Sequence, residues 1–227
     1  MSWISKALTS SLGRKLAMSL TGLFLVSFLL VHMGGNVQLF YNDGGDAFNT
    51  YSKFMSTSPI IRVLEIVLLA GFVTHIWTSV ILTRRNANAR PVSYAYTQPS
   101  PGVTWFSKNM GLSGSIVLVF LIIHLLNFWF PYHYGSMPTK TDAHGEQIKD
   151  MYALVEKVFR QEWWYSILYV LACVLLGFHL NHGFFSAFRT LGVEHKKYTP
   201  LMKAVSQFIS VVIPAGFAAM PLYFLLK

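Results

Sequence analysis

Five stretches of this chain carry no formal charge: residues 16–42, 66–83, 109–139, 163–188 and 204–226 contain no Asp, Glu, Lys or Arg. Each holds an apolar core of about the length a helix needs to cross a bilayer. The pattern predicts an all-α integral membrane bundle of five transmembrane helices, at about 15–40, 60–83, 110–131, 163–188 and 204–226, forming one transmembrane domain over 1–227. Only 12% of the residues are charged, where a soluble domain carries roughly a quarter. The lipid bilayer is therefore the first expected partner.

The N-terminal sequence MSWISKALTSSLGRKLAMSLTGLFLVSFLLVH has the basic flank of a signal peptide. Its apolar run is longer than a signal core and no small-residue cleavage site follows, so it reads as a retained first helix. One cysteine, Cys173, excludes an intrachain disulfide framework and a Cys-ligated iron–sulfur cluster. The net charge of +9 would suit nucleic acid, but its distribution obeys the positive-inside rule instead. With the N-terminus inside, the inner segments (N-terminal tail, 84–108 and 189–203) hold eleven of the 18 Lys and Arg and a single acid, Glu194. The outer side holds the other seven bases and eight acids, mostly in 131–162. The chain is expected to have its N-terminus cytoplasmic and its C-terminus outside, with no nucleic-acid partner.

Eight histidines are present. His133, His144 and His195 fall in predicted loops or at helix ends, where water can reach them. The other five are inside the predicted helices: His32 in the first, His75 in the second, His124 in the third, His179 and His182 in the fourth. A single membrane histidine is accounted for by one interhelical hydrogen bond; four helices with at least one each call for a shared explanation. At 1.5 Å per residue His75 lies roughly 14 Å from Arg84 and His179 roughly 15 Å from Arg189. His32 lies roughly 26 Å from Lys15 and His124 roughly 24 Å from Lys108, again from the inner edge. Two levels result, an inner one from the second and fourth helices and an outer one from the first and third.

Two imidazoles facing each other across a bundle can take both axial positions of a haem iron, which suits electron transfer rather than oxygen binding. No Cys-x-x-Cys-His occurs, so such haems would be two non-covalent b-type groups. Zinc would want three or four ligands at one level, and a carboxylate di-metal site would want glutamates inside the bundle, where only Glu65 stands, near a helix end. A haem-free transporter with a histidine proton relay is the rival of another class. A weak repeat accompanies the pairing. TGLFLVSFLLVH and SGSIVLVFLIIH each run a hydroxyl residue, a glycine, nine further residues and then the helix histidine. Gly22 and Gly114 could admit a flat macrocycle or simply a neighbouring helix.

On these residues the chain resembles, over nearly its whole length, the five-helix, two-haem cytochrome b membrane subunit of succinate:quinone oxidoreductases, the type B succinate dehydrogenases and fumarate reductases. The likeness rests on His32 followed by a short loop with GGDAFNTYSKFMSTSP, on RVLEIVLLAGFVTHIW with His75, on His124 late in the third helix, and on GFHLNHGFFSAFRTLGV closing the fourth. The resemblance implies that His75 and His179 ligate the haem nearer an iron–sulfur subunit, and His32 and His124 the farther one. His182 is about 60° round the helix from His179 and is read as a hydrogen-bonding neighbour of the cofactor rather than a ligand. Propionates need cationic or hydroxyl partners. Arg14, Lys15, Ser19 and Arg189 are available on the inner side and Arg62 on the outer, and each could equally be a snorkelling interface anchor.

No Gly-x-Gly-x-x-Gly occurs and the cysteines are too few, so the chain itself would bind neither a Rossmann-held flavin nor an iron–sulfur cluster. The resemblance implies partners on the basic inner face that carry FAD and the clusters, a flavoprotein subunit that oxidises succinate and an iron–sulfur subunit. The resemblance implies a membrane anchor that passes their electrons through the two haems to a quinone, menaquinone by expectation, in a bacterial inner membrane. Gln38, Asp46, Asn49 and Tyr51 are the candidate quinone-binding residues near the outer level. Fumarate reductases of this type can carry a glutamate two residues before the fourth-helix ligand; here that position is Gly177, which leans toward succinate oxidation. Hydrogenase and formate dehydrogenase cytochromes b are rival readings, as is a fumarate reductase running in reverse.

Overall fold

The computed structural model describes residues 10–89, 108–142 and 145–227. His144, the flank before Ser10 with Lys6, and the greater part of the expected 84–108 inner loop, Arg90 included, lie outside the described residues. Among the described residues, five helices are long and apolar enough to cross a membrane. The element order is α1 (Ser11–Asn36), a 3₁₀ turn (Val37–Phe40), α2 (Asp46–Thr57), α3 (Pro59–Asn88), α4 (Met110–His124), a π turn (Leu125–Trp129), α5 (Phe130–Tyr134), β1 (Thr139–Thr141), β2 (Gln147–Lys149), α6 (Met151–Gln161), α7 (Trp163–Thr190) and α8 (Thr199–Leu226). The five spans are α1 with its 3₁₀ turn, α3, α4 continued through the π turn into α5, α7 and α8.

Two span ends differ most from the sequence expectation, each by five residues. Helix α3 runs past residue 83 through Arg84 and Arg85 to Asn88, because long cationic stems can stay helical while their heads reach the interface. Helix α8 starts at Thr199, with Pro200 in its first turn, where a missing N–H costs no hydrogen bond. At the other end of the chain, Ser10 caps α1 by accepting from Gly13 N–H at 2.9 Å, one of the four otherwise unpaired donors of a helix start.

Helix α7 is the hub, packing against α1, α4 and α8, and α3 lies against α1. Of its buried residues, Ser166, Tyr169, Cys173, Gly177, Leu180 and Ala187 recur at three, four and seven positions, the stripe of one helix face, and Ala172 flanks it. Helices α3 and α4 sit at the periphery. Thr78 is the one residue of α3 that is fully buried, and α4 has none. Their exposed Ile60, Ile66, Leu69, Trp77, Val119 and Ile122 form the kind of apolar surface that hydrocarbon covers.

Helices α7 and α8 meet at Gly177. Pro214 has no N–H to give the carbonyl four residues earlier, that of Ser210. A Cβ built on Gly177 would lie 2.8 Å from this same Ser210 oxygen and 3.4 Å from Pro214 Cγ. Glycine here lets the α7 backbone close on a carbonyl that α8 leaves unpaired, a contact of the Cα–H···O kind.

The stretches expected as loops on the side away from the N-terminus instead build a folded cap. Helix α2 begins after Gly45, whose φ of 88° is a glycine conformation and whose missing Cβ makes room for the Tyr152 ring. Asp43 holds the turn by accepting from Gly45 N–H at 2.9 Å and Ala47 N–H at 2.8 Å, and the Ala47 bond above all keeps its carboxyl below the ordinary range. Strands β1 and β2 form an antiparallel hairpin with Lys140 opposite Ile148. Beneath them Leu39, Phe48, Phe128, Tyr152, Val155, Phe159, Tyr169, Met220 and Phe224 make one apolar core. That core reaches from the cap into the bundle, so cap and spans fold as one unit.

Candidate functional site

Four histidines face one another in two pairs. His75 of α3 meets His179 of α7 with ring centroids 6.4 Å apart and planes crossed at 73°. His32 of α1 meets His124 at the end of α4 at 5.8 Å and 88°. An imidazole nitrogen binds a first-row metal at about 2.0–2.1 Å. Two rings opposed across one metal therefore have centroids about 6 Å apart, the spacing both pairs show. Among the described residues no three His, Cys, Asp or Glu side chains converge as a metal-binding group. Each level thus offers two ring nitrogens, the number an iron already held by four porphyrin nitrogens can accept.

The surroundings of the levels differ. At the level nearer the N-terminal face, Thr21 Oγ1 lies 3.2 Å from His75 Nδ1 and Ser113 Oγ lies 3.4 Å from His179 Nδ1. At the far level the rings sit among aromatics. Phe28 stacks on His32 at 5.3 Å and Phe217 lies 5.5 Å from it, while Phe120, Phe128 and Tyr169 lie within 6.3 Å of His124. His124 Nδ1 is buried with no hydrogen-bond partner among the described residues. The glycines of the repeat face the near level. A Cβ on Gly22 would stand 3.3 Å from His75 Cε1, and one on Gly114 3.6 Å from His179 Cε1.

His182, one turn beyond His179 and half-buried, does not join either ring pair. Of the cations expected to meet carboxylates of a cofactor, Arg14 has its Nη1 buried with no partner among the described residues, and so is available to an anion. Ser19 is buried and spends its hydroxyl on Lys15 O at 2.9 Å. Arg189 pairs with Glu194 at 3.3 Å. Arg62 is engaged on both sides, by Glu65 at 2.5 Å and by His133 Nε2 at 2.8 Å. His133, in the last turn of α5, is thus engaged by neighbouring residues rather than by water alone. It stacks on Trp129 at 4.6 Å, and Trp129 Nε1 donates to Glu65 at 2.5 Å, so Glu65 is held in a four-residue interfacial network.

The four candidate quinone residues divide. Gln38 and Tyr51 converge on Gly35: Gln38 donates to its carbonyl at 3.3 Å, and the Tyr51 ring fills the space a Cβ there would need. Asp46 is salt-bridged to Lys140 at 2.5 Å. Asn49, 1% exposed, donates to Asp150 and accepts from Tyr152 N–H, both at 2.8 Å, stitching α2 to the start of α6. Asn49→Ala leaves the buried Tyr152 N–H unpaired and is expected to destabilise the cap by about 1–3 kcal/mol. Thermal unfolding of the detergent-purified variant checks this, and an unchanged midpoint contradicts it.

One polar cluster was not foreseen. Asn127 donates to Tyr165 Oη and to Tyr169 Oη, the latter at 2.8 Å, and the Tyr169 ring lies beside His124. Asn127 sits in the π turn that follows His124, a distortion often found at functional sites. A lone amide in an apolar run, and two tyrosines four apart on the facing helix, were the available signals.

No protein-family model, no curated protein and no solved structure matches this chain. Fold and site together define a class: a helical chain with five membrane-length spans, four of which carry histidines that meet in two pairs inside the bundle.

Proposed function

We propose that this chain is the two-haem cytochrome b subunit that anchors a succinate:quinone oxidoreductase in a bacterial inner membrane, acting as a succinate dehydrogenase. The observation that carries the reading is the pair of histidine pairs, on four different helices and at two depths, each with the ring spacing of an axial ligand set. Bound there, two b haems would supply one-electron transfer between soluble partners and quinone. His75 and His179 would hold the one nearer the N-terminal face, His32 and His124 the other. Arg14, whose guanidinium Nη1 at that near face has no partner among the described residues, would meet a propionate.

The rest of the chain orients and encloses. Aromatic rings around His32 and His124 exclude water from the far level, and the cap closes that side of the bundle. The basic N-terminal face, with Arg84, Arg85, Lys108, Lys196, Lys197 and Lys203, is the side for the iron–sulfur and flavoprotein subunits, which carry the clusters and FAD. That face is cytoplasmic by the positive-inside rule. Electrons would then enter inside and leave toward menaquinone outside, favoured by an inside-negative potential by about 2.3 kcal/mol per charge per 100 mV. Succinate added to native membranes should reduce b-type haem in amounts matching this chain. Reduction by hydrogen or formate but not by succinate would instead support a hydrogenase or formate dehydrogenase subunit, and no b-type signal in either case would support the haem-free transporter.

A further inference from the structure

The hydroxyl–glycine repeat does more than let helices approach. Thr21-Gly22 on α1 and Ser113-Gly114 on α4 do not serve the histidines of their own helices. Each faces a ring of the other level, Thr21 at His75 and Ser113 at His179. Both hydroxyl protons are already committed. Thr21 Oγ1 donates to Ala17 O at 2.7 Å, with Met18 O at 3.2 Å, and Ser113 Oγ donates to Met110 O at 3.1 Å. Each oxygen is thus placed to accept from an Nδ1–H, the tautomer that leaves the Nε2 lone pair free, and at His75 the Met18 backbone carbonyl is a second acceptor beside Thr21. The two rings of this level are thus held in the one tautomer that binds a metal through Nε2. The far level has no such brace. His124 Nδ1 has no partner among the described residues. His32 Nδ1 has the Asn36 amide at 3.4 Å, whose stronger bond, 2.7 Å, goes to His32 O.

We infer that Thr21 and Ser113 are positioning residues for the His75–His179 pair alone, fixing its tautomer and ring orientation and strengthening both imidazoles as donors. The inference rests on the reading that this pair holds a haem. An acceptor at Nδ1–H raises ligand basicity, which favours the ferric iron. Removing it should move that haem's midpoint potential upward and leave the other haem unmoved.

The test uses the intact membrane complex carrying Thr21→Val, Ser113→Ala, both together, or Thr21→Ser. Redox potentiometry followed optically and by electron paramagnetic resonance reads each haem, the near one being identified as the signal missing from His75→Ala membranes. With both haems retained, the double variant is expected to weaken the ferric preference of the near haem about tenfold, an upward shift of about 59 mV for one electron. Its ferric resonance should shift too, and Thr21→Ser should behave as the parent. If Thr21→Val releases the near haem, retention in Thr21→Ser supports the positioning role and loss in both overturns it. Two haems with unmoved potentials in the double variant, or equal movement of both, overturn the inference. A parent chain lacking two b haems overturns the functional reading beneath it.

Discussion

Replacing His179 with alanine is expected, on the proposed two-haem reading, to leave one b haem per chain instead of two and to abolish succinate-dependent quinone reduction. The effect would be large because the substitution would remove one of two axial ligands, and the opposite ring of His75 across the 6.4 Å gap could not hold an iron from both sides. His75→Ala should lose the same haem. His32→Ala and His124→Ala should each lose the other, so spectra of the four variants fall into two matching sets. His182→Ala is the internal control: its ring belongs to neither pair, and two haems should remain. Haem-to-protein ratios on purified complexes decide this. Loss of a haem from His182→Ala with retention in His179→Ala would show that the fourth-helix ligand is misassigned.

Substituting Gly177 should damage the fold rather than add a proton path. The α7 backbone lies against Ser210 O, the carbonyl freed by Pro214, and a Cβ would stand 2.8 Å from it. Backbone cannot swing aside as the end of a side chain can, so α7 and α8 must part. Overpacking of this kind costs about 1–3 kcal/mol for the smallest addition. Gly177→Ala should therefore lower the thermal midpoint of the detergent-purified chain. Gly177→Glu adds a carboxylate with no cation beside it at membrane depth, and should fail to accumulate in the membrane. Gly183→Ala, whose Cβ meets only the flexible end of Met110 at 3.9 Å, should be tolerated. A Gly177→Ala chain as stable as the parent would remove the account of this crossing.

The spans were legible because hydrocarbon imposes a simple demand, a long uncharged helix, and charge-free runs record it directly. The pairing of the histidines was legible for a related reason: helical rise converts residue count into depth, and two depths emerged from counting. What the repeat's glycines face was not, since admission of a macrocycle and admission of a neighbouring ring leave the same small residue in the sequence. The cap was legible least. Helices α2 and α6 are short and polar-faced, and what fixes them is contact between residues far apart in the chain, Asn49 with Asp150 and Tyr152. Asp46 and Asn49 were open to being read as candidate quinone residues for that reason, and in the folded chain both are tied down by cap contacts. Likewise the Asn127–Tyr165–Tyr169 cluster joins α7 to a π turn, and a π turn has no reliable sequence signature.

The most direct test of the central claim is a pyridine-haemochrome assay on the chain purified with its native partners, normalised to protein by amino-acid analysis. Two b-type haems per chain, with low-spin spectra in both redox states, are expected; one haem per chain, or none, contradicts the assignment of both histidine pairs.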